Sequence, residues 1–343
     1  MTQAADSVLF IDYATTVKLL SVPETMMICE DVFRMHARNS VKWSVPPSQK
    51  LDVAAPFHNH WHVKTVLLED EPVAGVRLYS YYDDGQRNTV GRLDCARYIV
   101  LADPRTAHPL AILDEHWTYA IRSAAAAILA LKWLGPKAPK TLGLVGVGTM
   151  GENCLRCLTH IYRFDEILCT SRRPETREAF AKKWSAKLGI PVRPLDSIEE
   201  VVRGSDVAIG GTTRTDIVSR EAWVKKGATF VSLARREMDP AGWANFDKVV
   251  IDDWDCNMTV RDFREMIESG QFDRERLHGD IGEVVAGLKP GRERDNERIL
   301  IHTTGMVSHD IGICWRIYQK AHEQGLGIPL PSAVAQATFG PRD

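Results

Sequence analysis

The chain has 343 residues, 44% of them hydrophobic and 26% charged, enough for two domains or one large one with an ordinary core. Its 43 Lys and Arg against 45 Asp and Glu give a formal net charge of −2, so there is no basic surplus to hold nucleic acid or an anionic membrane. No apolar run of about 18 residues occurs, which excludes a transmembrane helix, and seven scattered cysteines fit reduced thiols better than a disulfide framework.

The opening residues carry neither the basic nor the apolar stretch of a secretory signal, so a cytoplasmic location is expected. Residues 23–39 have helical patterning. Strand-like runs follow at 61–68, 73–82, 97–102 and 109–113, with turns at Glu69-Asp70-Glu71-Pro72 and Asp83-Asp84-Gly85, which predicts an α+β domain with a mixed sheet. Residues 117–134, rich in alanine and leucine, read as a helix of about five turns, closed by the connector Gly135-Pro136-Lys137-Ala138-Pro139-Lys140. Beyond it, short apolar runs at 141–147, 166–170, 207–210, 229–233 and 248–251 alternate with helical stretches at 150–162 and 174–187. That alternation predicts a parallel sheet with crossover helices. Residues 308–324 are again helical in period and are expected to fold back on the first domain.

The run from Thr141 to Gly151 contains Gly146-Val-Gly148-Thr149-Met150-Gly151, a G-x-G-x-x-G set after a strand and before a helix. In a dinucleotide site Gly146 allows the tight turn, Gly148 lets the backbone approach a pyrophosphate, and Gly151 lets helix and strand pack closely. The helix start then presents its amides to phosphate. At the end of the next strand an NAD site carries Asp or Glu for the ribose hydroxyl, but here the run is Cys169-Thr170-Ser171-Arg172-Arg173. A hydroxyl and two guanidiniums suit a 2′-phosphate, so NADP(H) is favoured over NAD(H).

Three other clusters are weighed against plainer readings. His58, His60 and His62 would share a face if extended, but no further ligand stands at a telling spacing, and a polar rim or surface strand is the better reading. Cys154 and Cys157 have no second pair and read as packing residues. Asp252, Asp253 and Asp255 follow a strand and read as loop residues rather than a catalytic set. No metal is expected.

Tyr119-Ala-Ile-Arg122-Ser-Ala-Ala-Ala-Ala127 is similar to the T-A-L-R-T-A-A-A-S helix of the ornithine cyclodeaminase/mu-crystallin family, and Gly75-Val-Arg77-Leu resembles its G-V-K-L strand. The run from Ile99 through Asp103 and Pro109 resembles its I-V-L-F-D-P-E-T-G-x-P-L-A-L-L. The segment from Ile281 through Glu283, Gly287, Gly291 and Arg292 resembles its G-E-L-x-x-V-L-x-G-K-x-P-G-R, and Thr304-Gly305 with Asp310 matches its C-terminal signature. The resemblance implies an α/β architecture: a Rossmann NADP-binding domain over 121–305, and an α+β substrate and dimerisation domain built from both chain ends, 1–120 with 306–343. It also implies a homodimer acting on a small amino or imino acid.

For the site, the resemblance implies that Arg122 holds the substrate carboxylate. Arg77 stands where the family has Lys; a guanidinium suits a carboxylate clamp but not proton transfer. Lys50 is an expected second clamp, in place of the family's early arginine. After the fifth Rossmann strand the family of cyclodeaminases has a catalytic Asp; this chain has Ser232-Leu233-Ala234-Arg235-Arg236-Glu237, which looks more like the S-L-R-D loop of the branch that oxidises N-(amino-carboxyethyl)glutamate. Glu237 is therefore expected to handle the proton and Arg236 to clamp a further carboxylate. Thr149, Met150, Thr212, Ser232, Leu233, Thr303 and Gly305 complete the expected cofactor set. The leading expectation is an imine reductase or opine-like amino-acid dehydrogenase, for a substrate with more than one carboxylate. The alternatives are a cyclodeaminase-type lyase that releases ammonia and recycles its NAD, and a mu-crystallin-like protein that only binds NADPH and a ligand.

Overall fold

The computed structural model describes residues 7–82, 97–212, 216–233 and 236–331; Asp83-Asp84-Gly85 and Arg235 lie outside them. The chain divides into two units, Met1–Ser21 with Asn39–Tyr119 and Val307–Asp343, and Val22–Arg38 with Ala120–Met306.

In the first unit, alternating apolar and polar residues make a mostly antiparallel sheet with one covered face. Its strands are β1 (Ser7–Ile11), β2 (Val41–Trp43), β3 (Gln49–Val53), β4 (Asn59–Leu68), β5 (Val73–Tyr82), β6 (Arg97–Ala102) and β7 (Pro109–Asp114), with Ile328–Pro331 on the edge beyond β1. The long β4–β5 ladder turns at residues 69–72 and pairs Leu68 with Val73 through to Asn59 with Tyr82. Among the described strands of this sheet only β1 and β7 pair parallel. Helix α1 (Tyr13–Leu19) and the last described helix, Val307–Glu323, belong to this unit, and the latter lies across β4, β5 and β6. It comes so close that a Cβ on Gly75 would stand 2.3 Å from Ile311. Ile99, Leu101 and Leu113 are wholly buried beneath.

The second unit is a parallel sheet whose strands read as continuous apolar runs because both faces are covered. The strands are β8 (Thr141–Val145), β9 (Glu166–Thr170), β10 (Val192–Pro194), β11 (Val207–Gly210), β12 (Thr229–Ser232), β13 (Lys248–Ile251), β14 (Gly279–Asp280) and β15 (Ile299–His302). Across the sheet they stand β10, β9, β8, β11, β12, β15, β13, β14. Counted from β8 the first five stand 3-2-1-4-5, the doubly wound order that reverses direction between β8 and β11 and opens a crevice there. Around the sheet the unit carries α2 (Val22–Ala37), the Ala120–Leu129 part of α3 (His116–Leu129), α4 (Leu131–Leu134), α5 (Thr149–Leu158), α6 (Pro174–Leu188), α7 (Ile198–Gly204), α8 (Trp254–Met258), α9 (Arg261–Glu268) and α10 (Ile281–Val285).

Two expectations are corrected here. The helix expected over 23–39 falls inside the 1–120 domain that the resemblance implies, yet it packs in the second unit. Its buried Met26, Cys29, Val32 and Phe33 form a face toward α10 and α5, and a Cβ on Gly282 would stand 2.8 Å from the Phe33 carbonyl. The single helix expected over 117–134 is two segments, with the Ala130 carbonyl accepting from both Trp133 and Leu134.

Candidate active site

The β8–α5 turn forms a phosphate cradle. Gly146 has φ of 97°, a conformation that favours glycine, and a Cβ there would meet the Gly211 carbonyl oxygen at 2.6 Å. A Cβ on Gly151 would be 2.0 Å from the Gly146 carbonyl oxygen, so helix and turn touch through bare backbone. Around Gly148, in contrast, an added Cβ meets nothing within 4 Å, leaving open the approach a pyrophosphate needs. Gly148 is the N-cap of α5 and offers no capping side chain, so Thr149, Met150 and Gly151 form the amide-bearing first turn. These residues fit a dinucleotide. At the end of β9, Arg172 and Arg173 are both exposed, and Ser171 Oγ donates to the Arg173 carbonyl at 2.9 Å. No carboxylate occupies the end of that strand.

The loops after β11, β12 and β15 are tied by two buried carboxylates. Glu237, expected to handle a proton, has no exposed surface, and its two oxygens accept from the backbone amides of Thr212 at 2.6 Å and Leu233 at 2.9 Å. Its geometry is that of a fastener joining the β11 and β12 loops. Asp252, read from the sequence as a plain loop residue, accepts from the amides of Thr304 at 2.8 Å and Gly305 at 2.6 Å and from Asn257 at 2.7 Å. Burial holds Asp252 above the ordinary carboxylate range in spite of those hydrogen bonds. Ser232 Oγ and His302 Nδ1 are hydrogen-bonded at 3.0 Å, and burial lowers His302 to about 4, so its imidazole is neutral at pH 7. Thr303 donates its amide to the Ser232 carbonyl at 2.9 Å. The expected cofactor residues Thr212, Ser232, Leu233, Thr303 and Gly305 thus lie at the carboxyl ends of β11, β12 and β15.

Arg122 is buried in the same unit against Gly305, whose φ is 88° and whose added Cβ would lie 2.6 Å from Arg122 Nη1. A larger residue at 305 would collide with the guanidinium. Arg236, expected to clamp a carboxylate, instead turns at φ of 57° and sets its guanidinium on Asp262 of α9 at 3.3 Å.

In the first unit Arg77 is buried on β5. Its Nε donates to Glu115 Oε1 at 2.7 Å and stands 4.0 Å from Asp310 Oδ2. Burial opposes its charge, but Glu115 and Asp310 outweigh burial and raise its pKa above the ordinary arginine value. Lys50 lies on β3 directly opposite His62. His58, with φ of 47°, stands outside β4, so the three imidazoles do not share a strand face; His60 pairs with Asp52 at 2.6 Å and His62 stacks on Tyr79. Among the described residues no group of three His, Cys, Asp or Glu could hold a metal. Cys154 and Cys157 are buried, and burial pushes the Cys157 thiol up to about 12, which fits packing rather than redox chemistry. Cys95 lies outside the described residues. Sequence reasoning passed over Arg97 and Glu115, although the strand alternation Arg97, Ile99, Leu101 already placed a cation among inward-facing residues.

A doubly wound sheet with an open glycine turn at its switch point defines a Rossmann dinucleotide-binding protein. The profile of the ornithine cyclodeaminase/mu-crystallin family matches residues 19–325, and the chain belongs to that family. It is 28% identical over 304 residues to the N-((2S)-2-amino-2-carboxyethyl)-L-glutamate dehydrogenase of Staphylococcus aureus, covering 86% of this chain and 89% of that one. It is 25% identical over 260 residues to the iminosuccinate reductase of Paracoccus denitrificans, covering 74% and 79%. The structure of Thermococcus litoralis Δ1-pyrroline-2-carboxylate reductase in complex with NADH and L-proline matches with a TM-score of 0.83 and 26% identity, over 94% of this chain and 99% of that one. A nicotinamide dinucleotide is accordingly the cofactor class, and among the described residues no helix is long and apolar enough to cross a membrane.

Proposed function

We propose that the chain is an NADP(H)-dependent imine reductase or opine-like amino-acid dehydrogenase, an oxidoreductase acting on the C–N bond of an imino or amino acid. The observation that carries this reading is the joining in one unit of an open dinucleotide cradle at Gly148 with a buried arginine, Arg122, set under Gly305. When bound, a reduced nicotinamide supplies a hydride to the imine carbon. Arg122 holds the substrate carboxylate through its forked donors, and Arg77 and Lys50 add positive charge in the first unit. The α5 first turn holds the pyrophosphate, and Ser171, Arg172 and Arg173 hold the 2′-phosphate. A homodimer in the cytoplasm completes the reading; Trp61, Val76 and Tyr98 leave apolar surface on the open face of the first unit's sheet, and sedimentation equilibrium tests the dimer.

The test follows NADPH and NADH absorbance with 2-oxo acids, amines and preformed cyclic imines. Consumption with an oxo-acid and amine pair or a cyclic imine supports the reading. Ammonia release from ornithine with no net change in cofactor would mark the lyase, and tight NADPH binding without turnover of any imine would mark a binding protein. Arg172→Ala combined with Arg173→Ala is expected to weaken NADPH by about tenfold to a hundredfold and leave NADH nearly unchanged, the loss of charged hydrogen bonds to one phosphate. Equal loss for both cofactors would overturn the 2′-phosphate assignment.

Glu237 is proposed to position the two loops rather than to carry a proton. Glu237→Gln keeps one acceptor for two amides, and is expected to weaken cofactor binding about tenfold while the pH profile of kcat stays in place. A loss of kcat by about a hundredfold or more at saturating cofactor would restore the proton role.

A further inference from the structure

Arg97 opens β6 at a position that the strand alternation shares with Ile99 and Leu101, on the covered face of the first unit's sheet. Only 1% of it is exposed, and among the described residues none of Nε, Nη1 and Nη2 meets a hydrogen-bond acceptor. A buried guanidinium normally has its donors matched. Its Cζ lies 4.1 Å from the centre of the Tyr119 ring and 5.5 Å from that of Tyr79. Ring faces attract the cation, but the N–H groups of a stacked guanidinium point outward in its own plane and still need acceptors.

Arg77 flanks the same two rings, with Cζ 4.3 Å from Tyr79 and 5.3 Å from Tyr119. Its Nε is matched by Glu115, and among the described residues its Nη2 also meets no acceptor. The strand register sets Lys50 opposite His62, His62 opposite Tyr79, and Tyr79 opposite Arg97, one row across four strands. His62 stacks on Tyr79 with ring centres 4.4 Å apart. Burial, then the charges of Lys50 and Lys64, bring His62 down to about 4, so the imidazole is neutral in a field already positive. The nearby carboxylates face Arg77: Glu115 at 2.7 Å and Asp310 at 4.0 Å. Among the described residues none supplies an acceptor to the Arg97 guanidinium, which leaves its donors open to a bound anion.

We propose that Arg97, beside Arg77 at the buried end of this row, is a specificity-determining residue that binds a second carboxylate of the substrate. The proposal rests on the imine-reductase reading and narrows its substrate class to imino acids with more than one carboxylate. The planar fork of an arginine matches a carboxylate through two parallel hydrogen bonds.

The test compares wild type, Arg97→Gln, Arg97→Lys and, as a surface control, Arg105→Gln, in the full chain. NADPH consumption is followed with ammonium plus oxaloacetate, and with ammonium plus pyruvate. Wild type and Arg105→Gln are expected to favour the dicarboxylate, and Arg97→Gln to lower the ratio of the two kcat/KM values by about tenfold to a hundredfold. Arg97→Lys keeps the charge without the fork and is expected to fall between. Removing a buried cation with unmatched donors should leave the melting temperature unchanged or raised. A purely structural arginine would instead lower it and slow both substrates alike, which overturns the proposal, as does an unchanged ratio. Calorimetric titration with succinate and butyrate separates this from the reading beneath it. Succinate binding that exceeds butyrate binding and depends on Arg97, in a protein that turns over no imine, keeps the anion site and removes the reductase. Succinate binding that is absent or equal in wild type and Arg97→Gln removes the anion site. If Arg97→Gln does not fold, Arg97→Lys decides: an undiminished ratio and undiminished succinate binding overturn the proposal.

Discussion

Gly151→Ala is expected to weaken NADPH by at least about a hundredfold, or roughly 2.8 kcal/mol, and to lower the melting temperature. The added Cβ would sit 2.0 Å from the Gly146 carbonyl oxygen, which is backbone and has no rotamer to escape into. Gly146 cannot retreat freely, because its own φ of 97° and the Gly211 carbonyl on its other side define that turn. The helix must therefore tilt away from the strand, taking the amides of its first turn with it. Gly148→Ala provides the contrast: its Cβ meets no protein atom within 4 Å, so the variant should melt as wild type does. It would still place a methyl where the pyrophosphate approaches, and should lose NADPH to a similar degree. Fluorescence titration with NADPH alongside thermal melting reads both. If Gly148→Ala binds NADPH as wild type does, the pyrophosphate does not use this turn.

The glycine turn was legible because each requirement there is local: a strand, a tight turn and a helix start within eleven residues. The parallel sheet was legible for a related reason, since strands buried on both faces must be apolar throughout. What the sequence could not reveal were partnerships between distant segments. Helix Val22–Ala37 is adjacent in sequence to the first sheet, yet Phe33 and Cys29 pack in the other unit, a choice made by complementary surfaces. Glu237 could be placed after β12 from the sequence, but its hydrogen bond from the Thr212 amide could not, because that partner lies on the loop after another strand. Asp252 was set aside as a loop residue, although the amides of Thr304 and Gly305 make it the support for the glycine that meets Arg122. The three histidines share no strand face, since the left-handed turn at His58 leaves it outside β4, a local conformation that residue type alone does not reveal.

Arg77→Leu is expected to destabilise the protein by about 3–5 kcal/mol, because it removes the cation of a buried ion cluster. Glu115 and Asp310 have no exposed surface, and the Arg77 guanidinium lies 2.7 Å from the first and 4.0 Å from the second. Leucine restores the volume but leaves the carboxylates to be desolvated without the cation, so the loss exceeds that of an exposed ion pair, which is about 0–1 kcal/mol. In a unit of this size the melting temperature should fall by roughly 10 °C. Arg77→Lys, which puts back the family's residue, keeps the charge near Glu115 and should cost no more than about 2 kcal/mol. The double variant Arg77→Leu, Glu115→Leu should recover a substantial part of the loss, since the two substitutions act on one contact and are not additive. Thermal melts of wild type, Arg77→Leu, Arg77→Lys, Glu115→Leu and the double variant decide the matter. A fall of less than about 1 kcal/mol for Arg77→Leu, or full additivity of the double variant, would mean that Glu115 and Asp310 do not depend on Arg77 for their charge.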